Sequence, residues 1–345
     1  MTPRTPVIGV VGNDAPRQLL LAFGARPVRL TGSWSGVVDP EAQQLLGATD
    51  AAVARLLTEL RSGAHRLDGL IVCNDSQAHL RLFYVLRATG SEMPVHLLDM
   101  PREPSSPARR FALFQLEALA AFCAGVTGAE LSAASLAAAA DAEAALGDAV
   151  RRLRARRRAH PPLCAGADAV DALLDAARMA PAEAVARLDA ALTPAVSGAT
   201  RVHATGSSHP DATFYRLLEA DGRVVVVSDD HDTGDAAWLG EAVRGETTDD
   251  VLDALIDAHF ARIATSATAL SSDRAMLTRD VARAADADAV AAIIRELDEA
   301  PLWDLADQRD ALEGTPFVSV RVEPGGEQDS ARDLQRDLAE RRVSA

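Results

Sequence analysis

Residues 285–322 read ADADAVAAIIRELDEAPLWDLADQRDALEGTPFVSVRV, and no other stretch restricts the fold as tightly. A strand-like apolar run, Ala289 to Ile294, ends in the acidic cluster Glu296, Asp298 and Glu299. A helix-like segment with Trp303 and Arg309 follows, and Gly314 and Pro316 lead into a second apolar run, Phe317 to Val322. Strand, polar tip, helix and strand make a parallel βαβ unit, which binds ligands at the carboxyl ends of its strands.

The same alternation fills the first third of the chain. VIGVVG (7–12), RPVRL (26–30), DGLIVCND (68–75) and PVHLLDM (94–100) read as strands, with helices expected at 17–24, around 40–60 and after residue 79. Near-continuous apolar strands separated by amphipathic helices require a parallel sheet covered on both faces. From Pro107 to Leu192 the chain reads as helical throughout, with an alanine-rich helix at 131–158 stopped by Pro161 and Pro162. Strands return at 199–208 and 222–230, with helices expected at 212–222, 236–263 and 271–284 and a last helix in the tail. The expected fold class is α/β: two Rossmann- or flavodoxin-like parallel-sheet domains with a helical middle segment and an interdomain cleft. The expected boundaries are 1–106, 107–197 and 198–345.

Composition narrows the function classes. Of 345 residues, 48% are hydrophobic and only 4% aromatic, so the cores must be built from Ala, Val and Leu. A formal net charge of −15 repels polyanions, which argues against nucleic acid and anionic membrane as partners. The basic start and apolar core of a secretion signal are missing from the N-terminal residues, and no run of about eighteen uncharged apolar residues occurs; a cytoplasmic location and no membrane span are expected. Cys73, Cys123 and Cys164 lie far apart with no CxxC pair, so neither a disulfide framework nor a metal set is expected.

Four groups of residues are candidates for chemistry. The tip TGSSHPD places Gly206, Ser207 and Ser208 before a helix, where free N–H groups receive a phosphate or carboxylate; ordinary capping by Ser208 or Asp211 explains the same residues. The run Asp229–Asp230–His231–Asp232 offers carboxylates, but neighbours on a strand point to opposite faces, so only part of it faces the cleft. Asp229 is taken as a ligand contact and Asp230 as an acid or base. Glu296 and Asp298 form a second acid–base candidate, one carboxyl raised by the other, against the alternative of a solvated loop. The arginines between Arg151 and Arg158 read as a solvated helix end or as an attractor for phosphate or an acidic partner. His79 and His96 are expected to be structural.

Several tracts, DGLIVCNDSQAHLRLFYVLR (68–87), LLLAFGARPVRLTG (19–32), ATRVHATGSS, VVSDDHDTG and the C-terminal unit, together resemble the 2-hydroxyacyl-CoA dehydratase / benzoyl-CoA reductase family over about residues 10–340. The resemblance implies paired subunits acting on an acyl-CoA, with electrons delivered through a 4Fe–4S cluster held by cysteines. Of the three family cysteine positions, the first falls among polar residues near Asp50, Asn74 stands at the second, before the aspartate matched by Asp75, and Leu297 stands at the third. The expectation is therefore a dehydratase-like subunit that binds no cofactor or metal alone, with Asn74 and Asp75 contacting the acyl-CoA. A 4Fe–4S cluster would belong to a partner, a paralogous subunit; pairing with itself as a dimer is the other arrangement. Two alternatives stay open: cluster-independent acid–base catalysis in the same cleft, and a non-catalytic binding module.

Overall fold

A computed structural model describes residues 4–193, 197–262 and 268–344. The expected end of a helix at residue 263 and the last residue of the tail fall outside them. The first sheet contains β1 (Val7–Val11), β2 (Arg26–Leu30), β3 (Gly69–Cys73) and β4 (Val95–Leu98), all parallel and in the order β2-β1-β3-β4. The second contains β5 (Thr200–Gly206), β6 (Val224–Asp229), β7 (Ala289–Arg295) and β8 (Phe317–Val322), also parallel, in the order β6-β5-β7-β8. The chain thus repeats one winding. In each sheet the first strand sits between its successor and the third strand, so a switch point opens between β1 and β3 and between β5 and β7. The α/β class with two parallel sheets is what the apolar runs required.

Helices cover both faces of each sheet. On the first sheet, α2 (Pro40–Leu46), α3 (Ala51–Arg61) and α4 (Gln77–Ala88) seal one face through Leu46, Leu56, Leu57 and Leu82. The other face is closed by α1 (Arg17–Ala22), α5 (Ser106–Thr127) and, from far along the chain, α10 (Thr248–Ala261). Val251, Leu255 and Ile256 of α10 pack with Ile8, Ile71 and Leu116, so the later half of the chain completes the core of the first lobe. Fully burying each such side chain stabilises by roughly 1.5–3 kcal/mol. On the second sheet, α7 (Gly166–Ala176), α9 (Thr213–Glu219) and α13 (Glu327–Ser344) share one core, and α11 (Ser271–Ala284) and α12 (Ala300–Ala311) cover the opposite face.

α6 (Ala133–Arg158) ties the lobes together: Leu136 and Ala139 enter the first core, while Leu146 to Leu153 pack with α7 and α8 (Pro181–Asp189). Small side chains allow that close packing. Gly147 of α6 meets Gly240 so tightly that a Cβ on Gly147 would stand 2.2 Å from the Gly240 carbonyl oxygen. Gly240 itself takes φ 77°, which breaks the helix expected from residue 236; α10 starts only at Thr248. The helix expected over 40–60 likewise splits in two at Gly47, φ 69°. By length and composition α5 is apolar enough to cross a membrane, although Arg109, Arg110 and Glu117 interrupt its apolar run. Its Ala112, Leu116, Leu119 and Cys123 are buried in the first core instead, while Phe114 stays exposed.

Candidate functional site

Both switch points open onto one cavity of about 610 Å³, walled by the carboxyl ends of β1, β3, β5 and β7. A glycine ends the first strand of each sheet there. Gly12, φ 94°, follows β1, and a Cβ on it would lie 2.5 Å from the Asp75 carboxylate. Gly206, φ 105°, ends β5, and its Cβ would strike the Ile293 carbonyl oxygen at 2.5 Å. L side chains rarely adopt such φ values, so both turns depend on glycine. The turns fix the polar groups that follow. The Asn13 N–H donates to Asp75 Oδ2 (2.6 Å), the Ser207 N–H donates to the Ile293 carbonyl (2.9 Å), and Ser207 Oγ accepts from the Arg295 N–H (3.0 Å).

Ion pairs cross between the lobes around this space. Arg29 of β2 donates to Asp232 Oδ2 (2.8 Å) and to Asn13 Oδ1 (2.7 Å). Burial would raise the Asp232 carboxyl, but Arg29 and the Ser208 hydroxyl hold it at about 2. Asp50, the N-cap of α3, accepts two bonds from Arg295 (2.6 and 3.1 Å). Arg102 donates to Asp14 Oδ2 (2.6 Å) on the wall nearest β1. Among the described cavity-lining arginines, Arg81 alone has no carboxylate partner; it donates to the Ala48 carbonyl (2.6 Å). Asp298 behaves oppositely to Asp232: enclosure raises its carboxyl, Arg295 and Ser207 pull it back only partly, and Asp50 and Asp232 push it further up.

Of the residues expected at the site, Asn74, Asp75, Gly206, Ser207, Ser208, Asp230 and Asp298 line the cavity. Asp229 and Glu296 do not. Asp229 is 1% exposed and spent on Arg157 (2.7 Å) and the Asp235 N–H (2.6 Å), which hold it well below the usual carboxylate range against the pull of burial. Glu296 follows the last residue of β7 and lines a separate shallow groove with Trp34, Arg55 and Glu327, which Arg295 also borders. Asp230 reaches the wall, yet both its oxygens are committed: Oδ1 to Arg274 (2.8 Å), Oδ2 to Thr278 (2.6 Å) and His203 (3.3 Å). Despite burial, Arg274 and His203 hold it far below the usual range, so Asp230 stays ionised as the acceptor of this buried network.

Most of the arginine run braces the fold: Arg157 is buried on Asp229, Arg154 and Arg158 bind Asp235, and Arg156 binds the end of α8, while Arg151 and Arg152 stay exposed, as a solvated helix end requires. His79, expected to be structural, lines the cavity, with Nδ1 2.6 Å from Asp75 Oδ1. The sequence held that signal in the Asp–Ser–Gln–Ala–His spacing, since residues four apart share a helix face.

The arrangement of these strand tips is matched by sequence likeness along the chain. Residues 13–336 match the family described as 2-hydroxyglutaryl-CoA dehydratase, D-component. The chain belongs to that family. Comparison with curated proteins gives no match.

Membership raises the question of the cluster, which needs soft thiolate donors on the cavity wall. The dehydratase-family wall of this chain carries no cysteine among its lining residues. Cys73, the thiol nearest a strand tip, is fully buried in the first core with Cys123, and Cys164 is buried among α6, α7 and α8. Burial raises all three thiols, Cys73 furthest, Cys123 to about 12 and Cys164 to about 11, the opposite of a ligating thiolate. Among the described residues, no three His, Cys, Asp or Glu side chains are grouped to hold a metal ion. The donor set does not fit an iron–sulfur cluster.

Proposed function

We propose that this chain is a subunit of a 2-hydroxyacyl-CoA dehydratase-like complex that builds an acyl-CoA pocket and leaves the 4Fe–4S cluster to a paralogous, cysteine-bearing subunit. The carrying observation is the single cavity at the carboxyl ends of four strands, in a family member whose cavity wall has polar and ionic side chains but no thiol. The family's description as one component of a dehydratase implies a second component. Two features support pairing at the cavity mouth. Trp303 is 79% exposed on α12, and the same helix begins with Ala300 and Pro301 on the cavity wall. Leu297 and Leu302 are also exposed beside it, an apolar patch that a partner would cover while closing the pocket. The acyl-CoA thioester would then lie between a polar wall from this chain and the redox centre of its partner.

Co-expression with cysteine-bearing dehydratase paralogues tests the reading. A stable complex should form, Trp303→Ala should weaken it, and isothermal calorimetry should show a 2-hydroxyacyl-CoA binding the complex. Chains that stay monomeric with every paralogue and bind no acyl-CoA would sink it.

A further inference from the structure

Asp75 and His79 form a hydrogen-bonded pair on the cavity wall. Asp75 is fixed twice: Oδ2 accepts from the Asn13 N–H (2.6 Å) and Oδ1 faces His79 Nδ1 (2.6 Å). Its position also depends on the glycine at 12, because a Cβ there would occupy the carboxylate's place. Ser76 caps α4 and accepts from the His79 N–H (3.1 Å), which sets where the imidazole leaves the helix. A carboxylate acceptor at Nδ1 fixes the Nδ1–H tautomer, so Nε2 keeps its lone pair. The His79 side chain is 21% exposed, and it lines the cavity rather than the outer surface.

We propose that His79 is the proton acceptor of this cavity and Asp75 the residue that positions it, acting on the carbon beside an acyl thioester carbonyl. The substrate class rests on the reading of the cavity as an acyl-CoA pocket; the dyad does not. In the step, the C–H bond breaks, its proton passes to His79 Nε2, and the electron pair moves into the carbonyl as an enolate. Reversal restores the bond, so no further reactant is needed. Arg81, two residues along the same helix and free of any carboxylate, lies on the wall to meet negative charge developing on the ligand. The charged groups facing His79 are Asp75, Asp232 and Arg29. Although burial lowers it, Asp75 foremost and Asp232 raise the imidazole above its ordinary value, against Arg29.

Two measurements on the full chain test this. Nitrogen-edited NMR of the histidines should show His79 as the Nδ1–H tautomer with a raised titration midpoint, and Asp75→Asn should shift that midpoint down. Incubating butyryl-CoA and 2-hydroxybutyryl-CoA in deuterium oxide should give exchange at the carbon beside the thioester. His79→Gln should slow it about 100-fold or more. Asp75→Asn, which keeps the imidazole, should slow it less and move its pH profile with the NMR midpoint. A His79 that titrates alike with and without Asp75, exchange undiminished in His79→Gln, or bound thioesters that never exchange would each overturn the assignment. A chain that binds no thioester yet shows the fixed tautomer and the Asp75-dependent midpoint supports the dyad and removes the acyl-CoA reading instead.

Discussion

The two lobes share a winding, a strand order and a glycine at the end of the first strand, yet they use their strand-tip charges in opposite ways. In the second lobe, Asp229 and Asp230 are sealed with Arg157 and Arg274, four side chains at most 2% exposed. In the first lobe, Asp75 and His79 stay partly open to the cavity. A buried ion pair holds a loop in one geometry and titrates only at extremes; a half-open pair can exchange protons. The sealed pairs of the second lobe are held in one geometry, whereas the pair of the first lobe meets the cavity. This division was hidden in the sequence, where VVSDDHDTG looks richer in catalytic groups than VCNDSQAH.

The largest effects should come from breaking the sealed pairs. Arg157→Ala or Arg274→Ala leaves an uncompensated buried carboxylate, and chemical denaturation should show a loss of about 3–5 kcal/mol. Equal losses from Asp75→Ala would erase the contrast between the lobes. Next, the two glycines separate backbone from side-chain constraint. Gly206→Ala collides with the fixed Ile293 carbonyl and should cost about 1–3 kcal/mol. Gly12→Ala collides with the Asp75 carboxylate and, at 2.6 Å, with Cys73 Cβ; it should cost a similar amount and, unlike Gly206→Ala, alter the His79 titration.

An effect of similar size is expected at the ion pair that joins the lobes. Asp50→Ala removes two bonds from Arg295 and should lower stability by about 1.5–3 kcal/mol. Scattering should then report a larger radius if this pair holds the cavity closed. The smallest effect is that of pH on His79. Its raised value means the folded state favours the charged ring, so the pair's contribution is complete below the unfolded midpoint of about 6.5 and fades as pH climbs through the folded one. Asp75→Asn should flatten that part of the stability–pH curve. Asp298 has the reverse sense for a carboxyl: its raised value favours the neutral form, so its ionisation above about pH 4 costs stability that Asp298→Asn should restore.

The sequence by itself determined the eight parallel strands, because continuous Val, Ile, Leu and Ala runs are stable only where helices cover both faces of a sheet. It also fixed the carboxyl ends as the place of the cavity, and the family likeness, which lies in local motifs. Only the tertiary structure decided which charges face that cavity. Asp229 is taken up by Arg157 of α6 and Asp230 by Arg274 of α11, partners distant in the chain, and Glu296 falls beyond the end of β7 into a separate groove. α10 joined the first lobe for the same reason: its apolar face had to find an uncovered sheet, and nothing in its own residues says which. Local patterns set what each segment can become, while the pairing of buried charges and apolar faces depends on partners that only the folded chain brings together.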